Sequence, residues 1–279
     1  MGVINATPDS FSDGRGHQTL DQRVELARSM LVAGADMIDI GGESAVTNRP
    51  AVDASTEIER VTELIDRVSG ELSARVSIDT YKPAVATAAL AAGACMVNDV
   101  SGLRDPELAD VCARTGAGMV LMHTRAVPKQ RLRDRSYDGR MAADVHAFLS
   151  DRITLATDRG VALEQLMLDP GPDFGKSPAQ TVEVLRALDG LHELGRPLLL
   201  AVSRKDFVGA IIRRPPRARL AGTLAAIAHG VDAGVHMLRI HDVAAVADFL
   251  AVRAALGGQV EVDPGLVLAD ELRWEPGTD

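Results

Sequence analysis

Short apolar runs recur along the chain and alternate with longer segments of helical spacing. Each run is nearly continuous, rich in β-branched residues, Leu or Met, and ends close to a polar side chain. There are eight of them: GVIN (2–5), DMIDI (36–40), RVSID (75–79), CMVND (95–99), GMVLMH (118–123), LMLD (166–169), LLLAVS (198–203) and MLRIH (237–241). Apolar runs without polar alternation predict parallel strands that are buried on both faces.

The segments between these runs predict helices, for instance over 21–34, 55–70, 82–93 and 139–160. Many end in Gly just before the next strand, as in AGAD, AGAC, TGAG, RGVA and AGVH, which is typical of a left-handed helix cap. Eight strand–helix units predict an α/β fold, a single-domain (β/α)₈ TIM barrel over 1–257, followed by a C-terminal tail over 258–279. A doubly wound sheet would use fewer units and often a GxGxxG turn, which is missing here.

Composition narrows the class of protein further. Aromatic residues make up 3% of the 279 residues, and the net charge is −9, so neither a base-stacking surface nor a basic field for nucleic acid or an anionic membrane is expected. No apolar run reaches the roughly 18 residues of a membrane span, and no secretory leader is visible. Cys95 and Cys112 form no CxxC pair. We therefore expect a cytoplasmic protein without disulfides.

Polar residues end all eight predicted strands, and in a barrel these ends converge on the face where active sites lie. Any one of them is more simply explained as a turn or cap residue, but turn chemistry does not require Lys and Arg at the last two strands. Asp79, Asn98 and Asp169 offer carboxylate and amide groups that suit a flat heterocycle with adjacent NH and NH₂ donors.

A second group of strand-end residues points to an anion. Lys205, Arg239 and His241 follow strands 7 and 8, the usual phosphate corner of barrels, and suit a pyrophosphate. Asn5 offers a neutral oxygen to Mg²⁺. A zinc hydrolase is disfavoured, because His123 and His241 lack a convincing third His ligand.

At this point the chain resembles the dihydropteroate synthase family over nearly its full length. The matching stretches are MGVINATPDSFSDG, DIGGES, VSIDTYKP, MVNDVSG, LMH, LDPGPDFGK, SRKDFVG, RLAGTLAA and LRIHDV. The resemblance implies a (β/α)₈ barrel, a homodimer, Mg²⁺, and condensation of a pterin methyl pyrophosphate with p-aminobenzoate to release pyrophosphate.

The resemblance also implies roles for individual residues. It assigns pterin binding to seven residues: Asp79, Asn98, Met122, Asp169, Phe174, Lys205 and Arg239. Three of them, Asp79, Lys205 and Arg239, are also assigned as catalytic. Asn5, Arg239 and His241 match pyrophosphate contacts, and Asn5 also the metal contact. Ser203, Asp206 and Arg49 are assigned to the acceptor.

Departures from the family pattern are concentrated in loops. GGESAVTNRPA is about three residues longer than usual before Arg49, the fifth loop is unusually basic, and Asp173 stands where Gly is typical. Asp206 replaces a Ser or a basic residue. It suits a helix N-cap, but facing the site it would repel the carboxylate of p-aminobenzoate.

Three functions are therefore compared. The first is a working dihydropteroate synthase, because the residues for pterin and pyrophosphate are complete. The second is a pterin-binding paralogue that uses another amine or has lost turnover. The third is a pterin-binding methyltransferase, which would need a corrinoid partner domain that is not found in this chain.

Overall fold

The computed structural model describes residues 1–7, 19–44, 50–130, 132 and 134–274. Eight parallel strands lie within these residues, each overlapping one of the predicted runs. They are β1 (Gly2–Asn5), β2 (Met37–Gly41), β3 (Arg75–Asp79), β4 (Met96–Asp99), β5 (Gly118–Met122), β6 (Leu166–Asp169), β7 (Leu199–Leu200) and β8 (Met237–Leu238).

The strands close into a barrel. Strands β1 to β6 pair in sequence order, and β7 pairs with β8. Parallel bridges from Leu168 to Leu198 and from Gly2 to Ile240 join the two sheets at both edges. The predicted (β/α)₈ TIM barrel is confirmed, as is the single-domain architecture.

Helices follow the strands and cover the barrel. Nine are found in the described residues: α1 (Leu20–Val32), α2 (Ala54–Leu72), α3 (Pro83–Ala91), α4 (Glu107–Thr115), α5 (Met141–Asp158), α6 (Pro178–Arg186), α7 (Asp206–Ile212), α8 (Leu220–Asp232) and α9 (Val243–Leu256). Helix α2 shows how the sequence specifies them. Asp53 caps its first turn, and Val61, Leu64, Ile65 and Val68 form one buried stripe.

The last two strands are shorter than predicted, because a side chain replaces a backbone hydrogen bond between them at the mouth of the barrel. Ser203 Oγ accepts the backbone N–H of His241 at 3.1 Å, so this N–H does not pair with β7. Arg204 then takes a left-handed conformation with φ +57°, which ends the extended backbone.

Alternation along the strands decides which residues face the barrel axis. The floor is apolar and rich in methionine: Met1, Met37, Val120, Leu199 and Ala201 form a buried cluster, with Met96, Met167 and Met237 packed against it. Because successive strand residues point to opposite faces, the inward positions above this floor are Asp39, Asp79, Asn98, Asp169 and Arg239. The alternation therefore places the polar strand-end residues in one layer.

Two further observations concern the remainder of the chain. No helix among the described residues is long and apolar enough to cross a membrane. After α9, the described residues 257–274 are exposed throughout. The division into a barrel over 1–257 and a tail over 258–279 stays a prediction.

Candidate active site

Arg239 is the centre of the polar layer. Its Nε donates to Asp39 Oδ2 at 2.7 Å, and its Nη2 donates to Asp79 Oδ2 at 2.6 Å. The Nδ2 of Asn98 donates to the same oxygen of Asp39 at 3.3 Å. One guanidinium thus bridges carboxylates from β2 and β3, which holds it across the barrel mouth.

The buried bridge shifts the pKa of Asp79 and of Arg239. Burial raises the pKa of Asp79 to about 7, and the charge of Asp39 adds to the effect, while Arg239 opposes it. Burial by itself would lower the pKa of Arg239, but Asp39 and Asp79 together raise it above its usual value. Arg239 therefore stays charged while Asp79 titrates near neutrality.

Asp169 lies on the opposite side of the layer at the end of β6. It pairs in register with Met122, and both side chains are buried. Its Oδ1 accepts the backbone N–H of Gly171 at 2.7 Å. Burial raises the pKa of Asp169, and this hydrogen bond partly offsets the effect. A buried carboxylate of this kind suits an N–H donor of a ligand.

Lys205 and Phe174 meet over the layer. The Nζ of Lys205 lies 4.3 Å from the centre of the Phe174 ring, within the range of a cation–π contact. Burial lowers the pKa of Lys205, and Asp173 and Asp169 pull it back upwards. The amino group thus lies over an aromatic face, and the charges of Asp173 and Asp169 favour its protonated form.

Asp173 explains one departure from the family pattern. Its backbone is left-handed, with φ +66°, a conformation that Gly adopts readily and that Asp tolerates better than most residues. Its Oδ2 accepts the N–H of Phe207 at 3.1 Å, and its Oδ1 accepts the hydroxyl of Thr181 at the same distance. Asp173 therefore caps the first turn of α7 from a neighbouring loop.

His241 and Ser203 form a pair at the ends of β7 and β8. The Nδ1 of His241 lies 3.0 Å from Ser203 Oγ, and burial lowers the pKa of His241 to about 4, with Arg239 and Arg204 adding to the effect. The imidazole is therefore neutral near pH 7. Ser203, assigned to the acceptor from the sequence, contacts His241 here.

Asn5 ends β1 on the same side of the sheet as Asp79. It pairs in register with Gly41, and a Cβ at Gly41 would lie 3.4 Å from Asp79 Cβ. The side chain of Asn5 therefore points inward at the rim of the barrel. Its predicted contact with pyrophosphate stays a prediction.

Asp206 lies at the edge of the site and is not an N-cap. Lys205 occupies the cap position, and Asp206 is the first residue of α7. Its side chain is 87% exposed, and its Oδ1 accepts Nη1 of Arg219 at 2.9 Å. The N-cap interpretation is wrong by one residue, because Asp173 supplies the capping oxygen from outside the helix.

A cavity of about 400 Å³ opens above the polar layer. Its walls come from the loops after β2, β3, β5, β6 and β7, and include Glu43, Asp79, Tyr81, Lys129, Phe174, Lys205 and Asp206. Arg49 lies outside the described residues, and so do Arg131 and Arg133 of the basic fifth loop. Two other cations of this loop are bound by acidic residues: Arg125 by Asp144, and Lys129 by Glu43.

Two residues of this region were not among the predicted site residues. Asp39 lies in the predicted run DMIDI, and its register with Ser77 on β3, two residues before Asp79, turns it inward. Lys176 follows the β6 loop and is buried, with 8% exposed. A lysine in the motif DFGK gives no periodic signal, so its burial could not be read from the sequence.

Comparisons with known proteins show which proteins this chain is similar to. Residues 1–241 match the model of a family described as pterin binding enzymes. The dihydropteroate synthase of Synechocystis sp. is 40% identical over 258 residues, which cover 92% of this chain and 89% of that protein.

Solved structures give the same result. A dihydropteroate synthase from Xanthomonas albilineans with 4-aminobenzoic acid superposes with a TM-score of 0.84 at 41% identity, covering 92% of each chain. A second structure of the enzyme from that organism, in complex with 7,8-dihydropteroate, gives a TM-score of 0.81 at 41% identity over the same shares.

Proposed function

Since this chain belongs to the dihydropteroate synthase family of pterin-binding enzymes, we propose that its barrel mouth joins a dihydropterin methyl pyrophosphate to p-aminobenzoate. The chain is a transferase of folate biosynthesis. The observation that carries the proposed site is the Asp39–Arg239–Asp79 bridge beside Lys205 and Phe174, because it provides a flat charged surface and carboxylates within one layer.

The pterin ring would lie on the planar guanidinium of Arg239. Asp169 and Asn98 would face its N–H and amino groups, while Asp79, titrating near pH 7, would complete the polar edge. Met122 would contribute an apolar contact. Five rigid strand-end positions would thus fix the ring and its methylene carbon.

In the reaction the methylene C–O bond breaks and a C–N bond forms. Pyrophosphate leaves with the electron pair of the C–O bond, and after attack the amine nitrogen loses a proton to the departing pyrophosphate or to water. Arg239 and His241 would stabilise the charge that develops on the leaving oxygens. With the Ser203 hydroxyl donating to Nδ1, the ring proton would lie on Nε2, and His241 would act as a neutral donor.

Magnesium would accompany the pyrophosphate. Within the parts of the chain that the structure describes, no three His, Cys, Asp or Glu side chains converge as a metal site. Asn5 would therefore give one neutral oxygen, and phosphate oxygens and water the rest, as Mg²⁺ commonly accepts. When bound, the metal neutralises charge on the leaving group.

The acceptor end is the less regular part of the site. Ser203 would act there through His241, and Phe174 and Asp206 line the cavity. Arg49 is proposed from the family motif alone. Asp206 also favours a second candidate, a pterin-binding paralogue with another amine, because a carboxylate at the rim disfavours an acceptor that carries a negative charge.

Two further proposals concern the whole molecule. A homodimer is supported by exposed apolar residues on α7, Ile211 and Ile212, and light scattering after gel filtration would test it. A cytoplasmic location is supported by two free thiols, Cys95 and Cys112. Fractionation of the native cells would test that location.

Pyrophosphate release is the test of the function. The wild type is supplied with dihydropterin methyl pyrophosphate and Mg²⁺, with p-aminobenzoate, with aniline, or without an amine. Release that depends on p-aminobenzoate supports the synthase. Faster reaction with aniline supports the second candidate, and release that no amine accelerates would refute both transfer reactions.

Arg239→Met provides the variant arm of this experiment. It should abolish release, because the cation beneath the ring and beside the pyrophosphate is lost. Arg159→Met is the matched control, since Arg159 also pairs with a carboxylate, Asp110, but on the outer helices. The control should retain wild-type release.

A further inference from the structure

Lys176 is a buried lysine behind the proposed pterin pocket; burial lowers its pKa to about 7, and the charge of Asp169 opposes this shift. Its Nζ donates to the carbonyl oxygen of Gly171 at 2.8 Å and lies 3.3 Å from the carbonyl oxygens of Phe174 and His123. The Nδ1 of His123 lies 2.7 Å away. One amino group therefore joins the end of β5 to two backbone carbonyls of the loop after β6.

His123 and Asp144 support this ammonium from behind. Burial lowers the pKa of His123 to about 3, and the charge of Lys176 adds to the effect, so the imidazole is neutral. The charged form of Lys176 can only donate, so with this form Nδ1 of His123 accepts and the ring proton lies on Nε2. Nε2 donates to Asp144 Oδ2 at 3.0 Å, and Arg125 holds that carboxylate in turn.

The loop that Lys176 holds carries two of the proposed pterin contacts. Gly171 donates its N–H to Asp169 Oδ1, and Phe174 donates its N–H to Gly171 O at 3.1 Å. A Cβ at Gly171 would lie only 2.0 Å from His123 O, so this loop is pressed against the end of β5. The Phe174 ring then reaches Lys205. A shift of this loop would move both Asp169 and Phe174.

We propose that Lys176 is a positioning residue for the pterin: with His123 and Asp144 behind it, its ammonium fixes the β6–α6 loop so that Asp169 and Phe174 meet the ring. This inference rests on the proposed function. It concerns a group that does not touch the substrate and acts through the loop backbone.

The test uses Lys176→Met, which keeps the side-chain length and removes the charge and all donors. Lys176→Arg keeps a cation. The matched control is Gln165→Met, because Gln165 Nε2 also joins β5 and β6 by donating to two backbone carbonyls, those of Cys112 and Ala117, but at the closed end of the barrel. Two quantities are measured: hydrogen exchange of the amides over 169–176, and the Kd of dihydropterin pyrophosphate without an acceptor.

Lys176→Met should speed exchange over 169–176 and raise the pterin Kd about tenfold, whereas Gln165→Met should change neither, although both lower the melting temperature. Lys176→Arg should restore part of the affinity. A wild-type Kd in Lys176→Met, or equal losses in Lys176→Met and Gln165→Met, would overturn the proposal.

The hydrogen-exchange and affinity measurements distinguish failure of the Lys176 role from failure of the proposed synthase function. If the wild type binds no pterin, both the proposed function and the pterin role of Lys176 fail. If it binds pterin and releases pyrophosphate normally while Lys176→Met shows unchanged exchange and affinity, only the role of Lys176 fails.

Discussion

Replacing Asp206 with Ser tests how strongly one carboxylate disfavours p-aminobenzoate. The Asp206 side chain is 87% exposed and pairs with Arg219 at 2.9 Å. The Arg219 side chain is only 11% exposed, but the exposed carboxylate is screened by solvent, so we assign the pair the roughly 0.2–1 kcal/mol of a surface ion pair. Arg219 keeps hydrogen-bond partners after the change, because it also donates to the carbonyl oxygens of Arg204 and Arg214. We expect Asp206→Ser to lower the free energy of unfolding by about 1 kcal/mol or less.

The effect on the acceptor should be similarly modest. Two unit charges about 4 Å apart in water-like surroundings repel by about 1 kcal/mol, and an arginine partner reduces this further. Asp206→Ser should therefore lower the KM for p-aminobenzoate by about fivefold at most, with the pterin Kd unchanged. The assay is steady-state pyrophosphate release at varied p-aminobenzoate concentration.

Asp206→Asn separates charge from size, and Asp232→Ser is the matched control. Asp232 also pairs with an arginine, Arg253, but it ends α8 at the opposite end of the barrel. A wild type without turnover that becomes active as Asp206→Ser would refute the reasoning, because about 1 kcal/mol cannot separate an inactive enzyme from an active one.

Three further predictions concern the strands and the β6 loop. Gly171→Ala should destabilise the fold by about 3 kcal/mol or more, measured by urea unfolding, because φ is +63° and the new Cβ would lie 2.0 Å from His123 O. Asp39→Asn should raise the pterin Kd about tenfold, because Arg239 loses one charged acceptor. The Kd would be measured by calorimetry, and an unchanged value would contradict this prediction. Asp79 has a folded pKa of about 7 against 3.8 in the unfolded chain, so its contribution to stability is complete below pH 3.8 and is lost as pH rises through 7, by at most about 1.4 kcal/mol per pH unit. Asp79→Asn should lack this slope when unfolding is measured across that window, and an identical slope would contradict the assignment.

Gly116→Ala is the control for the glycine variant. Gly116 is also left-handed, with φ +73°, but a Cβ there meets nothing within 4 Å. Only the backbone cost of roughly 1–2 kcal/mol should remain. Equal destabilisation by the two substitutions would show that the close approach to His123 does not matter.

Strand positions could be read from the sequence because burial on both faces leaves an uninterrupted apolar run. All eight runs became strands, and Gly116 and Gly160 end their helices with positive φ as predicted. The ends of β7 and β8 could not be placed, because the side chain of Ser203 replaces a ladder bond there.

The sequence predicted which strand-end residues come together at the barrel mouth, but not the contacts between them; their roles in the site stay a prediction. Asp79 and Arg239 were both identified, yet their bridge through Asp39 depends on which strand faces join across the barrel. Asp206 looked like a cap, whereas the capping oxygen comes from Asp173 on another loop. Such contacts between distant segments carry no local pattern.

The division of the mouth between strands and loops has a consequence for inhibition. Asp79, Asn98, Asp169 and Arg239 lie at or next to paired strands, where a backbone shift would disturb the whole ladder. The proposed acceptor end is lined by loops, and most departures from the family pattern lie in these loops. Compounds that imitate the amine would thus meet a surface where resistance substitutions cost little stability, while compounds that imitate the pterin ring would meet one where escape also damages the fold.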